Sequence, residues 1–201
     1  NTLIPIEEFK DGKICIVAGS TWPADEILLD AFIKEAPENV KIIIAPHQIT
    51  KEHIYRLCSN FPEAVLYSEK DRKDLKNSSL LIIDNIGFLT RIYSYADIAY
   101  VGGAAGNTGL HNILEPATFG VPIVIGKNFE KFPEAKQLQK IAGLYSVASS
   151  QELKEVLNKF LTNPDYRRKT GFICEQFINS NTGATRIIEE YFNTKPLKME
   201  V

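Results

Sequence analysis

The sequence predicts an α/β domain: a parallel sheet with helices on both faces. Three observations carry this. Short apolar runs alternate with segments of helical spacing along most of the chain. The runs are continuously apolar, as strands covered on both faces are. Four of them end in small, polar or glycine-containing segments, and open parallel sheets bind ligands outside the carboxyl ends of their strands. With 201 residues the chain has room for one sizeable domain and too little for two, so residues 1–201 are read as a single domain.

Residues 13–18 (KICIVA) read as a buried strand that turns at Gly19-Ser20-Thr21. Residues 23–36 have helical spacing, with Ile27, Leu28, Ala31 and Phe32 on one face. Pro23 suits a first helical turn and Thr21 an N-cap. Residues 40–45 form the second strand. The helix over 50–60 turns Ile54, Leu57 and Cys58 inward and leaves His53 in solvent. Short strands follow at 64–67 and 80–83, then a short helix at 87–96. The strand at 98–101 runs into Gly102-Gly103, and a loop of small and polar residues continues to His111. A helix over 113–119 is broken by Gly120, and 121–125 is a strand. Residues 132–142 are helical and 144–147 form an edge strand. The last helices are 151–161, capped by Ser149 or Ser150, then 165–179 and 185–192. A C-terminal helix and tail make up 183–201, with 195–201 frayed. With right-handed crossovers this is a Rossmann-like arrangement.

Composition excludes several functions. A net charge of -2 gives no overall drive toward nucleic acid or anionic lipid. The three cysteines, Cys15, Cys58 and Cys174, are widely spaced and form neither a disulfide framework nor a zinc site. They suit a reduced, cytoplasmic compartment. No signal peptide is visible, no apolar run reaches membrane-spanning length, and the chain opens on Asn1; the expectation is a piece of a longer protein. GxSxG and HExxH are absent, which argues against a conventional hydrolase or protease. No cofactor and no metal are expected.

Binding residues are sought at the strand ends. Gly19-Ser20-Thr21 reads either as a plain helix cap or as a phosphate contact; GxGxxG is absent there. His47 either donates to a phosphate or stacks on a base, or is bonded to backbone. Residues 102–109 hold four glycines in eight, which lets backbone approach a ligand; with a helix just after, the expectation is an anion site around Gly102 and Gly103. Asn112 and Glu115 fit the ends of a capping box, and the amides of Ile113 and Leu114 are expected to be open to a phosphate.

These residues resemble a family. Tyr95-Ala96-Asp97-Ile98-Ala99-Tyr100-Val101-Gly102-Gly103, then Thr108-Gly109, then His111-Asn112-Ile113-Leu114-Glu115-Pro116-Ala117 look like 3-deoxy-D-manno-octulosonic acid (Kdo) transferase. Phe119-Gly120-Val121-Pro122-Ile123-Val124-Ile125-Gly126 extends the match, as does Gly19-Ser20-Thr21 with Glu26. The resemblance covers about residues 14–192 and is specific over 97–126. It implies the C-terminal half of a two-domain GT-B glycosyltransferase. Such an enzyme transfers Kdo from CMP-Kdo to a lipid A precursor in lipopolysaccharide assembly, with inversion and without an active-site metal, at the cytoplasmic face of the bacterial inner membrane. The other domain would carry the catalytic carboxylate and the acceptor, so these residues alone are expected to be inactive.

The resemblance places CMP at three sites. These are Ala45, Pro46 and His47; the turn with Ile86, Gly87 and Phe88; and Asn112, Ile113, Leu114 and Glu115. Ser20, Thr21, Gly102 and Gly103 complete the expected donor site. Three positions depart from the family. Pro46 stands where an arginine is usual, Phe88 where a glutamate is usual, and Trp22 where a histidine is common. A different donor, such as a UDP-sugar, or a non-catalytic nucleotide-sugar module on the same fold remain alternatives.

Overall fold

The computed structural model describes residues 2–194. Its centre is a seven-stranded sheet, all parallel, in the order β3-β4-β2-β1-β5-β6-β7. The strands are β1 (Ile14–Thr21), β2 (Val40–Pro46), β3 (Val65–Leu66), β4 (Leu80–Ile82), β5 (Ile98–Val101), β6 (Ile123–Gly126) and β7 (Leu144–Val147). The helices are α1 (Ile4–Lys10), α2 (Pro23–Lys34), α3 (Lys51–Asn60), α4 (Leu89–Ile92), α5 (Leu114–Thr118), α6 (Pro133–Lys140), α7 (Ser150–Thr162), α8 (Pro164–Ser180) and α9 (Ala184–Thr194). The expected tail at 195–201 lies outside the described residues.

Two apolar layers sandwich the sheet, as its continuously apolar strands require. Cys15 and Val17 of β1 face a core shared with Ile6, Phe9, Ile113, Leu138 and Cys174. Ile16 and Ala18 face the other, with Leu29, Phe32, Leu57 and Leu157. Thus α2, α3 and α7 cover one face and α1, α5, α6 and α8 the other. The strand order reverses between β1 and β5, where open α/β sheets form their ligand crevice.

Four expectations are corrected. α1 goes beyond the sequence reading; seven residues show little periodicity, and its burial of Ile6 and Phe9 is what holds it. In α2 the buried stripe is Asp25, Leu28, Leu29, Phe32 and Ile33, while Ile27 is 74% exposed and Ala31 is exposed. The stripe is rotated because two acids, Asp25 and Glu26, are buried, and charge at those positions reads as a solvent face. Thr21 is not the N-cap of α2; it is the buried end of β1, and Trp22 is the N-cap, with Asp25 reaching back to its amide at 2.9 Å. His53 is not in solvent. It is 7% exposed, and its Nε2 lies 2.8 and 2.9 Å from the two Glu26 oxygens. Ser149 does cap α7, accepting from the Glu152 amide.

Candidate functional site: a cleft at the carboxyl ends of β1, β2, β4 and β5

The end of β1 is irregular. Its register against β2 shifts between Gly19 and Thr21, and Ser20 bulges out in the left-handed region at φ 53°. A bulge at a strand end re-aims the side chain, and a non-glycine residue holds this conformation only where its surroundings impose it. Two constraints do so. Thr21 donates to Glu26 Oε1 at 3.1 Å, and the Thr21 carbonyl accepts from the His47 amide at 2.9 Å. The buried Glu26 therefore ties β1, α2 and, through His53, α3 together behind the bulge.

Ser20 is the shared wall of two adjoining hollows, which also share Gly87 and Leu89. One, of about 250 Å³, is completed by Thr90, Tyr93, His111, Asn112 and Glu115 and is largely polar. The other, of about 130 Å³, is walled mainly by Ala45, Pro46, His47, Ile83 and Ile86 and is largely apolar. A third, larger hollow of about 650 Å³ opens between α2 and α3, away from the strand ends. The two smaller hollows are the candidate site because segments far apart in the chain converge there with hydrogen-bonding groups.

The Glu115 carboxylate is held by its neighbours. Thr90 donates to Oε2 at 3.0 Å and the Asn112 amide to Oε1 at 3.2 Å. Three aromatic rings cluster at the cleft. Trp22 stacks on His47 at 4.7 Å, His47 lies 4.3 Å from His111, and the indole donates to His111 Nε2 at 2.9 Å. Burial, then the nearby His47, pushes the His111 imidazole below its ordinary range, against the pull of Asp25. Tyr93, fully buried under the cleft, is raised well above the usual phenol range by burial and then by Glu115, so it stays a neutral hydroxyl.

No family model matches the chain. Among curated proteins, the 3-deoxy-D-manno-octulosonic acid transferase of Aquifex aeolicus is 32% identical over 152 residues, 73% of this chain and 42% of the relative. That of Haemophilus influenzae is 28% identical over 182 residues, 87% of this chain and 42% of the relative. Among solved structures, the C-terminal CMP-Kdo binding domain of WaaA from Acinetobacter baumannii shares the fold with a TM-score of 0.75 at 17% identity, covering 88% of this chain and 99% of that one. The chain is a C-terminal domain of the Kdo transferase family. It spans 42% of the length of these two curated relatives.

In this Kdo transferase domain the cleft gathers Ser20, Ala45, Pro46, His47, Ile86, Gly87, Asn112 and Glu115 from the expected donor set. The other six stand elsewhere. Thr21 is buried against Glu26, and the Phe88 ring turns onto Tyr67 at 5.6 Å. Ile113 is core, and Leu114 is exposed outside the two hollows. Gly102 and Gly103 are buried against backbone, Gly102 against the end of β1 and Gly103 against the loop itself. A Cβ on Gly102 would meet the Ser20 carbonyl oxygen at 2.3 Å, and one on Gly103, at φ 97°, the Gly109 oxygen at 1.9 Å.

The glycine-rich loop does cradle an anion, but it is the protein's own. Asp25, fully buried, accepts from the Gly103 amide at 2.8 Å, the Ala105 amide at 3.2 Å, the Tyr100 hydroxyl at 2.7 Å and the Trp22 amide at 2.9 Å. Those loop amides are spent. So is the Leu114 amide, which donates to Asn112 Oδ1 at 3.0 Å. α5 starts at Leu114 with Ile113 as N-cap, so the expected capping box with Asn112 as N-cap does not form. Pro116 falls in the first turn, where its missing N–H costs nothing. Sequence reasoning missed Asp25, Thr90 and the stack of Trp22, His47 and His111. The one signal for Asp25 was an acid three residues after a helix-capping position.

Proposed function

We propose that this domain binds CMP-Kdo in the cleft, as the donor half of an inverting glycosyltransferase that transfers Kdo to a lipid A precursor in lipopolysaccharide assembly. The observation that carries the reading is the convergence on one cleft of three motif segments that the family resemblance assigns to CMP. These are Ala45-Pro46-His47, Ile86-Gly87 and Asn112 with Glu115. The apolar hollow, with Ile86 88% exposed at its rim, suits a base. The polar hollow suits a ribose. Each Glu115 oxygen accepts one hydrogen bond, from Thr90 or from Asn112, and keeps a second lone pair, so two ribose hydroxyls can donate to the pair.

The walls of the two hollows include neither Lys nor Arg, so the phosphate would be met by neutral donors. Among the described residues no group of three or more His, Cys, Asp or Glu could hold a metal ion; metal-independent binding is part of the proposal. The acceptor and the catalytic base would come from the rest of the enzyme, leaving these residues alone without transfer activity. Among the described residues no helix is long and apolar enough to cross a membrane; the place proposed for the full enzyme, the cytoplasmic face of the bacterial inner membrane, rests on the family resemblance.

Calorimetric titration with CMP, UMP and CMP-Kdo, with and without EDTA, tests the reading. CMP and CMP-Kdo should bind ahead of UMP and be indifferent to chelation; a preference for UMP would move the domain to UDP-sugar enzymes. Glu115→Gln should weaken CMP by about tenfold to a hundredfold, the scale of a hydrogen bond to a charged group, with an unchanged melting curve. Equal affinity in the two forms would leave Glu115 only its contacts to Thr90 and Asn112.

A further inference from the structure

The contact between Trp22 and His111 constrains a proton. An indole N–H can only donate, so His111 Nε2, its acceptor at 2.9 Å, carries no proton. The neutral imidazole must then hold its proton on Nδ1. Nδ1 has no hydrogen-bond partner among the described residues, and the His111 ring walls the polar hollow. That hollow has no Lys or Arg in its wall, so this domain meets an anion there with neutral donors.

We propose that Trp22 is a positioning residue that holds His111 as the neutral Nδ1–H tautomer and so presents one N–H donor to an anionic oxygen of the bound nucleotide sugar. This rests on the donor-binding reading above and specifies its phosphate contact. The arrangement is built on both sides. Trp22 is fixed as the N-cap of α2 by the bond from its amide to Asp25. The His111 amide is pinned to the Gly102 carbonyl at 3.1 Å, on the loop that Asp25 also holds. His47, which also walls the apolar hollow, packs on both rings, stacked on Trp22 and tilted against His111. The charges that act on His111 are His47, just past β2, and Asp25 from α2, and Tyr93 and Glu115 line the same hollow; burial and His47 disfavour a second proton, and Asp25 opposes them. A protonated ring would have N–H on both nitrogens and would lose the indole bond.

Nitrogen-15 NMR of the imidazoles in the ligand-free chain reads the tautomer directly. Wild type should show His111 protonated at Nδ1. Trp22→Phe keeps an aromatic ring in the stack but loses the pyrrole half of the indole with its N–H; it should shift His111 toward a tautomer mixture and raise its pKa, since a donor to Nε2 stabilises the neutral form. CMP affinity should fall about threefold to tenfold in Trp22→Phe, the scale of one modest hydrogen bond. His111→Asn places an amide N–H near the Nδ1 position, so it should retain more CMP affinity than His111→Gln. In the Asn background Trp22→Phe should have no further effect. A role in packing alone would leave the tautomer unmoved and the two substitutions additive. An Nε2–H tautomer in wild type, or undiminished CMP binding by Trp22→Phe, overturns the role of Trp22. Cytidine binding as well as CMP, with Trp22→Phe weakening both alike, overturns the phosphate assignment. Failure of wild type to bind CMP at all, with the Nδ1–H tautomer intact, overturns the donor-binding reading and the ligand assignment with it.

Discussion

Asp25→Asn is the most informative single change, because one carboxylate holds four donors. Oδ2 accepts from the Trp22 and Gly103 amides, and Oδ1 from Ala105 and the Tyr100 hydroxyl. An asparagine can keep its oxygen at one position only. With the oxygen at Oδ2, its NH2 faces Tyr100 and the Ala105 amide. Tyr100 can rotate its hydroxyl and accept instead; the Ala105 N–H cannot, and is orphaned. An unsatisfied buried donor costs about 1–3 kcal/mol, and two charge-assisted bonds weaken to neutral ones for about another 1–2 kcal/mol. The sum is about 2–5 kcal/mol. At about 2–4 °C per kcal/mol for a chain of this size, Tm should drop by roughly 4–20 °C. Scanning calorimetry measures it. Hydrogen exchange should show lost protection at Gly103 and Ala105 before any global change. A Tm within about 2 °C of wild type would refute the idea that Asp25 is the anion the glycine-rich loop is built around.

Two further outcomes are expected. His111 titrates below its ordinary 6.5, so as pH falls the unfolded chain takes up the proton first. Its stability contribution is full above 6.5 and is lost from there down to its folded value; thermal melts across that range should fall more steeply in wild type than in His111→Asn, and parallel slopes would count against it. Burial pushes Cys15 and Cys174 up to about 12, and Cys58, half-buried, is raised less. Alkylation at mildly alkaline pH, read by mass spectrometry, should label Cys58 slowly and the other two only in denaturant; fast labelling of Cys15 would contradict its place in the core.

The sequence by itself determined the layers. Continuous apolar runs such as IIIA in β2 and IAYV in β5 read as strands covered on both faces, and their alternation with helical spacing points to a parallel sheet. It also determined which edge of that sheet to search, since every strand end followed by a helix lies on one side. Eight of the expected donor residues do line the cleft there. What the sequence could not give was the bookkeeping of polar groups. Four glycines in a row of eight look like a loop waiting for a phosphate, and only the tertiary fold reveals that Asp25, some 80 residues away in the chain, has already taken the Gly103 and Ala105 amides. His53 reads as solvent-facing for the same reason, and the burial of Glu26 beside it is equally invisible in the sequence. A buried acid is tolerable only when its partners are buried with it, and those partners come from β1 and α3 by long-range packing. The Trp22–His47–His111 stack joins three segments that share no local pattern. Periodicity records which face of an element is apolar; which donor meets which acceptor is decided only when distant elements pack.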